Sequence, residues 1–143
     1  MIIKQLSVFL ENRPGKLCDA VETLAKNDID ISALSLADTA EYGILRLIVD
    51  QPDRAKEVFT SEGVIVSINK VIAVAMDDAP GGSVQILRFL ADAGISIEYM
   101  YACVGKVSGK ALMVIRTDNQ EIAEQTLNMG GFGQINPADI YRI

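Results

Sequence analysis

Glu11-Asn12-Arg13-Pro14-Gly15-Lys16-Leu17 lies between a run of alternating apolar residues and a run spaced like a helix. An altered version, Asp78-Ala79-Pro80-Gly81-Gly82-Ser83, follows, with Pro80 and Gly81 each 66 residues beyond Pro14 and Gly15. Pro at the start of a helix sacrifices nothing, because the N–H it lacks would be unpaired there. A Pro-Gly turn opening a helix therefore gathers free backbone N–H groups at one point, where the helix dipole also favours negative charge. Such a turn suits a small anionic group. We read both turns as ligand-binding, with no catalytic role.

The flanks of the first turn set the fold. Upstream, Leu6, Val8 and Leu10 alternate with Gln5, Ser7 and Phe9, as in a half-buried strand. Downstream, Leu17, Val21 and Leu24 recur at helical spacing, with Cys18 and Ala25 beside them. Asn27-Asp28 ends that helix, and Ile29, Ile31 and Ala33 begin a second strand. The polar stretch Asp38-Thr39-Ala40-Glu41 reads as a turn into a third strand, Ile44 to Asp50. Gln51-Pro52-Asp53 starts a second helix carrying Ala55, Val58 and Phe59; Gly63 ends it, and Val64-Ile65-Val66 is a fourth strand.

The pattern then starts again. Shifted by 66, Leu6, Val8 and Leu10 land on Ile72, Val74 and Met76, and Val21 and Leu24 land on Leu87 and Leu90. Ile29 and Ile31 land on Ile95 and Ile97, and Leu47 and Val49 on Met113 and Ile115. A helix around Glu121 to Asn128, with Ile122, Ala123 and Leu127 inward, and a closing strand over Asp139 to Ile143 complete the second set. Core positions matching at a single offset indicate duplication.

The expected class is α+β: two ferredoxin-like βαββαβ sandwiches packed side by side, residues 1–68 and 69–143. Each has an antiparallel sheet in the order 4-1-3-2 with its helices on one face. Asn69-Lys70 is the only break available between the last strand of one half and the first of the next. Without a break, that strand is continuous and shared, or swapped. Val71, Ala73, Ala75, Leu34, Leu36 and Met100 fall opposite the core in simple alternation, and Ile86 and Phe89 widen the stripe of their helix. This surplus of apolar surface leads us to expect the halves to pack on each other and on a second copy of the chain.

Composition narrows the function. Half of the 143 residues are apolar and mean hydropathy is +0.26, which speaks against disorder. No apolar run approaches the roughly 18 residues of a membrane span. Order is expected from Ile2 or Ile3, with no targeting leader, and the cytoplasm is the expected location. A net charge of −6 disfavours nucleic acid and anionic lipid as partners. With no histidine, imidazole bases, histidine metal ligands and Ser/His or Cys/His pairs are all excluded. Catalytic residues, metals and cofactors are therefore not expected. Cys18 and Cys103 read as buried thiols, and Tyr99 and Tyr101 as core.

Strand, then Glu11-Asn12-Arg13-Pro14-Gly15-Lys16-Leu17, then helix, then Asp28-Ile29-Asp30-Ile31 resembles an ACT domain. The first repeat is most similar to the serine-binding regulatory domain of phosphoglycerate dehydrogenase. The second, with Asp78-Ala79-Pro80-Gly81 and Gly94-Ile95-Ser96-Ile97, looks like a looser copy. The resemblance implies amino-acid binding at a seam between two domains, where the turn of one faces the start of the second strand of the other. One seam would join Asn12, Pro14, Gly15, Lys16 and Leu17 to Ser96 and Ile97. The other would join Asp78, Gly81, Gly82 and Ser83 to Asp30 and Ile31. Leu10 stands where the family can carry a polar ligand contact, which argues against serine as effector. Asp78 and Ser83 depart from the first turn's asparagine and leucine.

A carboxylate would suit the N–H groups of Gly15, Lys16 and Leu17, and an ammonium the oxygens of Asn12, Asp30 or Asp78. The expected function is a free-standing amino-acid-binding regulator or sensor with its ligand at the seam between the repeats, and the expected partners are a second copy in a homodimer and a regulated partner protein. The alternative is an ACT-like oligomerisation or protein-interaction module without a ligand.

Overall fold

The computed structural model describes residues 1–38, 41–132 and 135–141. Each Pro-Gly turn joins a strand to a helix, as the sequence predicts. In chain order the elements are β1 (Ile2–Glu11), α1 (Lys16–Lys26), β2 (Ile31–Asp38), β3 (Tyr42–Val49), α2 (Pro52–Ser61), β4 (Val66–Asp77), α3 (Val84–Asp92), β5 (Ile97–Val107), β6 (Lys110–Thr117), α4 (Gln120–Met129) and α5 (Pro137–Tyr141). Thr39 and Ala40 of the expected turn lie outside the described residues.

The chain forms two compact units. One holds Lys4–Asn69 together with Tyr141; the other holds Met1–Ile3 and Lys70–Ile140. β4 runs unbroken through Asn69-Lys70, where the division between the units falls.

In the first unit β3 pairs antiparallel with both β1 and β2, so that Leu6 and Leu34 both stand opposite Leu47. On the other side of β1 the Phe9 N–H donates to the Ile65 carbonyl at 3.0 Å. This is the expected 4-1-3-2 order. Leu6, Val8 and Leu10 of β1 and Leu45, Leu47 and Val49 of β3 pack against Ala20 and Leu24 of α1 and Ala55 and Phe59 of α2. Phe59 is fully buried. Removing a side chain of that size costs about 3–5 kcal/mol. Gln5 and Ser7, on the opposite face of β1, are buried polar residues. The Gln5 amide donates to Ser7 Oγ (3.2 Å), which donates to Asn69 Oδ1 (2.8 Å). Burial is tolerable there because these groups are hydrogen-bonded.

The second unit repeats the plan. β6 pairs with β4 and β5, and Ile72, Val74, Met76 and Ile115 pack against Ile86 and Leu90 of α3 and Ala123 and Leu127 of α4. Ile72 faces Ile115 as Leu6 faces Leu47. The true counterpart of Leu47 is thus Ile115, 68 residues on, not Met113. The hairpin between β5 and β6 is two residues longer; an even insertion preserves the buried face. Ile122 is half exposed on α4 rather than inward.

The expected closing strand at Asp139 to Ile143 is not formed by its described residues, which are helical over Pro137–Tyr141; residues 142 and 143 lie outside the description. Asn136 Oδ1 accepts the Ala138 N–H at 3.0 Å and Pro137 takes the first helical position, a combination that starts a helix. The sheet is completed instead by Met1–Ile3. Met1 N donates to Ala73 O (3.1 Å) and Ala73 N–H donates to Met1 O (2.8 Å). Burial lowers the pKa of the Met1 ammonium, with the Glu124 carboxylate 3.8 Å away opposing the shift.

Leu34, Leu36 and Met100 do not face away from the cores. They stand opposite Leu47, Leu45 and Ile115, all core residues. The register of β2 shifts between Ile31 and Ala33, and that of β5 between Ile97 and Tyr99. One extra residue in a strand inverts the alternation beyond it. The irregularity recurs at the 66-residue offset, so it belongs to the duplicated plan. Val71 and Ala73, on the face away from the helices, are buried as well.

Candidate functional site

The first turn is built from the end of β1. The Asn12 N–H donates to Glu41 O at 3.2 Å, tying the turn to the strand entering β3, and the Arg13 N–H donates to Glu11 O at 2.8 Å. Gly15 then takes φ 86°, in the left-handed region that glycine enters without penalty. A Cβ at this position would meet nothing within 4 Å, so the requirement for glycine is conformational.

α1 begins immediately afterwards. The Lys16 N–H donates to Arg13 O (3.3 Å) and the Asp19 N–H closes the first turn on Gly15 O (2.9 Å). The Leu17 and Cys18 N–H groups have no acceptor among the described residues. The N-cap residue of α1 is Gly15, which offers no side chain to cap the helix. Cys18 is exposed and Cys103 partly so, contrary to the expectation of buried thiols. Cys18 lies off the Ala20–Leu24 stripe that faces the core.

Against this turn lies a cavity of about 320 Å³. Leu10, Leu17 and Leu36 supply its apolar wall, and Glu11, Asn12 and Arg13 its polar rim. Arg13 Nε stands 2.7 Å from the Glu11 carboxylate, with both side chains more than half exposed. Gly43 forms the floor where β3 passes beneath; a Cβ there would be 3.1 Å from Leu36 Cδ1. Of the residues predicted from sequence, Asn12 and Leu17 line the cavity, and Pro14, Gly15 and Lys16 make the turn beside it. Sequence reasoning did not select Glu11, Arg13, Leu36 or Gly43. The first two lie inside the motif, Gly43 stands opposite Leu10 across the β1–β3 pair, and Leu36 arrives only through the shifted register of β2.

The second turn is folded differently. Gly81 has φ 78°, but α3 does not begin until Val84. The Gly82 N–H donates to Ala79 O (2.9 Å), the Val84 N–H to Gly81 O (3.0 Å) and the Leu87 N–H to Ser83 O (3.0 Å). A Cβ at Gly82 would lie 1.9 Å from the Asp77 carbonyl oxygen. The backbone is therefore pressed onto the end of β4, with Asp78 exposed and Ser83 half-buried.

The starts of the second strands are matched. The Asp30 N–H donates to Asp50 Oδ1 (3.0 Å), and the Asp50 N–H returns to Asp30 O (3.2 Å). In the second unit the Ser96 N–H donates to Asp118 Oδ1 (3.3 Å), and the Asp118 N–H to Ser96 O (3.2 Å). Each clip fixes a strand entrance and uses its first backbone donor. Ile31 and Ile97 pack against their own cores. Tyr99 and Tyr101 stack at 6.4 Å, partly exposed, rather than joining the core. Among the described residues, no group of three or more His, Cys, Asp or Glu could hold a metal, and no helix is long and apolar enough to cross a membrane.

Comparison with known proteins agrees with this plan. A family model described as an ACT domain pair matches residues 1–141. No curated protein matches the chain. Among solved structures, protein BT0572 from Bacteroides thetaiotaomicron is 36% identical, with a TM-score of 0.91 over 100% of this chain and 98% of that one. The regulatory subunit of aspartate kinase from Thermus thermophilus shares the fold at 14% identity, with a TM-score of 0.62 over 90% of this chain and 96% of that one. Aspartate kinase from Synechocystis is 20% identical with a TM-score of 0.59, covering 95% of this chain and 28% of that enzyme. With the Pro-Gly turns, the matched strand clips and the doubled α+β plan in place, this chain belongs to the ACT-domain family, as a pair of ACT domains in one polypeptide.

Proposed function

We propose that this protein is a free-standing regulator that binds an amino acid at its first Pro-Gly turn. The observation that carries the reading is the cavity beside Asn12–Leu17, where a polar rim and an apolar wall meet next to the first turn of α1, whose Leu17 and Cys18 N–H groups have no acceptor among the described residues. Its volume of about 320 Å³ falls at the small end of the ligand-site range, about 300–1,000 Å³. A carboxylate would accept from Leu17 and Cys18, and an ammonium would donate to the Asn12 amide oxygen or to the Glu11 carboxylate. Charge-assisted bonds contribute about 1.5–3 kcal/mol each. A few of them, less the cost of ordering the ligand, correspond to micromolar to millimolar affinity. That range suits sensing of a metabolite pool.

The family supports a regulatory role, and a regulatory aspartate kinase subunit shares the fold. The likeness of the first repeat to a serine-binding domain lies in its turn, whereas Leu10 in the cavity disfavours serine. Output would pass through self-association, a homodimer being the simplest form, or through a partner protein. Thermal shift against the twenty amino acids tests the proposal. A ligand at a hundredfold excess over its Kd adds about 2.7 kcal/mol, a shift of several degrees. Asn12→Ala should remove that shift, and Ser96→Ala tests the seam implied by the family. No shift with any amino acid at millimolar concentration contradicts the proposal. The alternative, a module that only pairs chains, is favoured by the exposed side chains of Phe9, Leu34 and Tyr42. In that case Asn12→Ala leaves self-association and every ligand titration unaffected.

A further inference from the structure

The geometry points to a ligand with an aliphatic side chain, an amino acid of the valine, leucine or isoleucine kind, seated on Leu10, Leu17 and Leu36. The inference rests on the proposed amino-acid site and adds the class of side chain. The cavity is chemically divided. Its charged and amide groups, Glu11, Asn12 and Arg13, belong to three consecutive residues of one rim. Among the described residues, the remaining side chains that line it are three leucines drawn from three elements: the end of β1, the first turn of α1 and the outer part of β2. A zwitterion held by the rim therefore directs its side chain toward hydrocarbon. A hydroxyl, carboxylate or ammonium on that side chain would lose water and gain no partner from the leucines.

The leucines are fixed by different means. Leu10 is 8% exposed and belongs to the core of its unit, and Leu17 packs against the same core. Leu36 is 50% exposed, with no larger cluster behind it. Its position depends on Gly43: a Cβ on Gly43 would stand 3.1 Å from Leu36 Cδ1 and 4.0 Å from the Leu10 carbonyl. The backbone φ of Gly43 is not in the left-handed region, so glycine here provides space rather than a special conformation. Leu36 lies low against the sheet because that Cβ is missing. Adding it would lift Leu36 into the cavity and shorten the apolar seat. Gly43 is thus a size-setting position, and Leu36 the wall that a ligand side chain touches.

Isothermal titration with L-valine, L-leucine, L-isoleucine, L-serine, L-aspartate and L-lysine tests this on the intact chain. The aliphatic ligands are expected to bind at least about tenfold more tightly than the three polar ones, the discrimination that a methylene or more in an apolar pocket supplies. Leu36→Asn, at a half-exposed site that tolerates polarity, should lower aliphatic affinity about tenfold and narrow the preference. Gly43→Ala should weaken leucine and isoleucine more than valine. Serine, aspartate or lysine binding as tightly as isoleucine overturns the aliphatic assignment and leaves the amino-acid site standing. Binding of none of the six by wild type, with no thermal shift from any other amino acid, overturns both. Aliphatic binding undiminished in both Leu36→Asn and Gly43→Ala removes the seat from this cavity.

Discussion

Gly15 and Gly81 hold nearly the same left-handed φ, 86° and 78°, at equivalent positions of the two repeats. Yet α1 begins one residue after Gly15 and α3 three residues after Gly81. The next position explains the difference. Lys16 carries a side chain, so the first turn stands off from the end of its strand. Gly82 carries none, so the second turn collapses onto the Asp77 carbonyl. The apolar wall is also lost: Leu17 is replaced by Ser83, and Leu36 by Ala102. Duplication kept the left-handed glycine, and three side chains separate a turn with a cavity from a turn pressed onto its own strand.

Gly82→Ala should separate the turns most sharply. The added Cβ meets main chain, which cannot step aside, and the expected loss is about 2–4 kcal/mol by denaturant unfolding. Lys16→Ala at the matching position should change stability by no more than about 0.5 kcal/mol. Gly15→Ala and Gly81→Ala should each cost about 1–2 kcal/mol, the left-handed penalty, and by nearly equal amounts because neither Cβ meets a neighbour. Unequal losses would show that one turn carries strain the other lacks. Asn119→Ala should cost about 1 kcal/mol, since its Oδ1 accepts the Ile122 N–H at 3.1 Å as a true cap of α4. Asn12→Ala, in the rim of the cavity, should abolish the thermal shift that an amino acid gives. A small effect is expected from Glu11→Ala too, where an exposed ion pair with Arg13 contributes about 0–1 kcal/mol to stability.

Local patterns were readable before any coordinates. Leu6, Val8 and Leu10 form a core face, both Pro-Gly turns open helices, and the 66-residue offset marks two copies of one plan. What escaped depended on partners distant in sequence. The strand irregularities at Ile31/Ala33 and Ile97/Tyr99 are defined only against β3 and β6, so alternation put Leu34, Leu36 and Met100 on the wrong face. The place of Leu36 in the apolar wall of the cavity escaped for the same reason. That Met1–Ile3 takes the place of the last strand is a choice of partner that no periodicity encodes. The helix at Pro137–Tyr141 did have a local signal, Asn136-Pro137, which alternation outweighed. Cys18 is a simpler case: small apolar residues beside a helical stripe need not lie under it.

The central claim, that the first turn and not the second holds an amino acid, is tested most directly by following backbone amide resonances during titration with L-isoleucine. The account predicts the largest shifts at Asn12, Leu17 and Cys18, with Gly81, Gly82 and Val84 unmoved. Shifts centred on Asp78–Val84, or a spectrum unchanged by any amino acid at millimolar concentration, would contradict it.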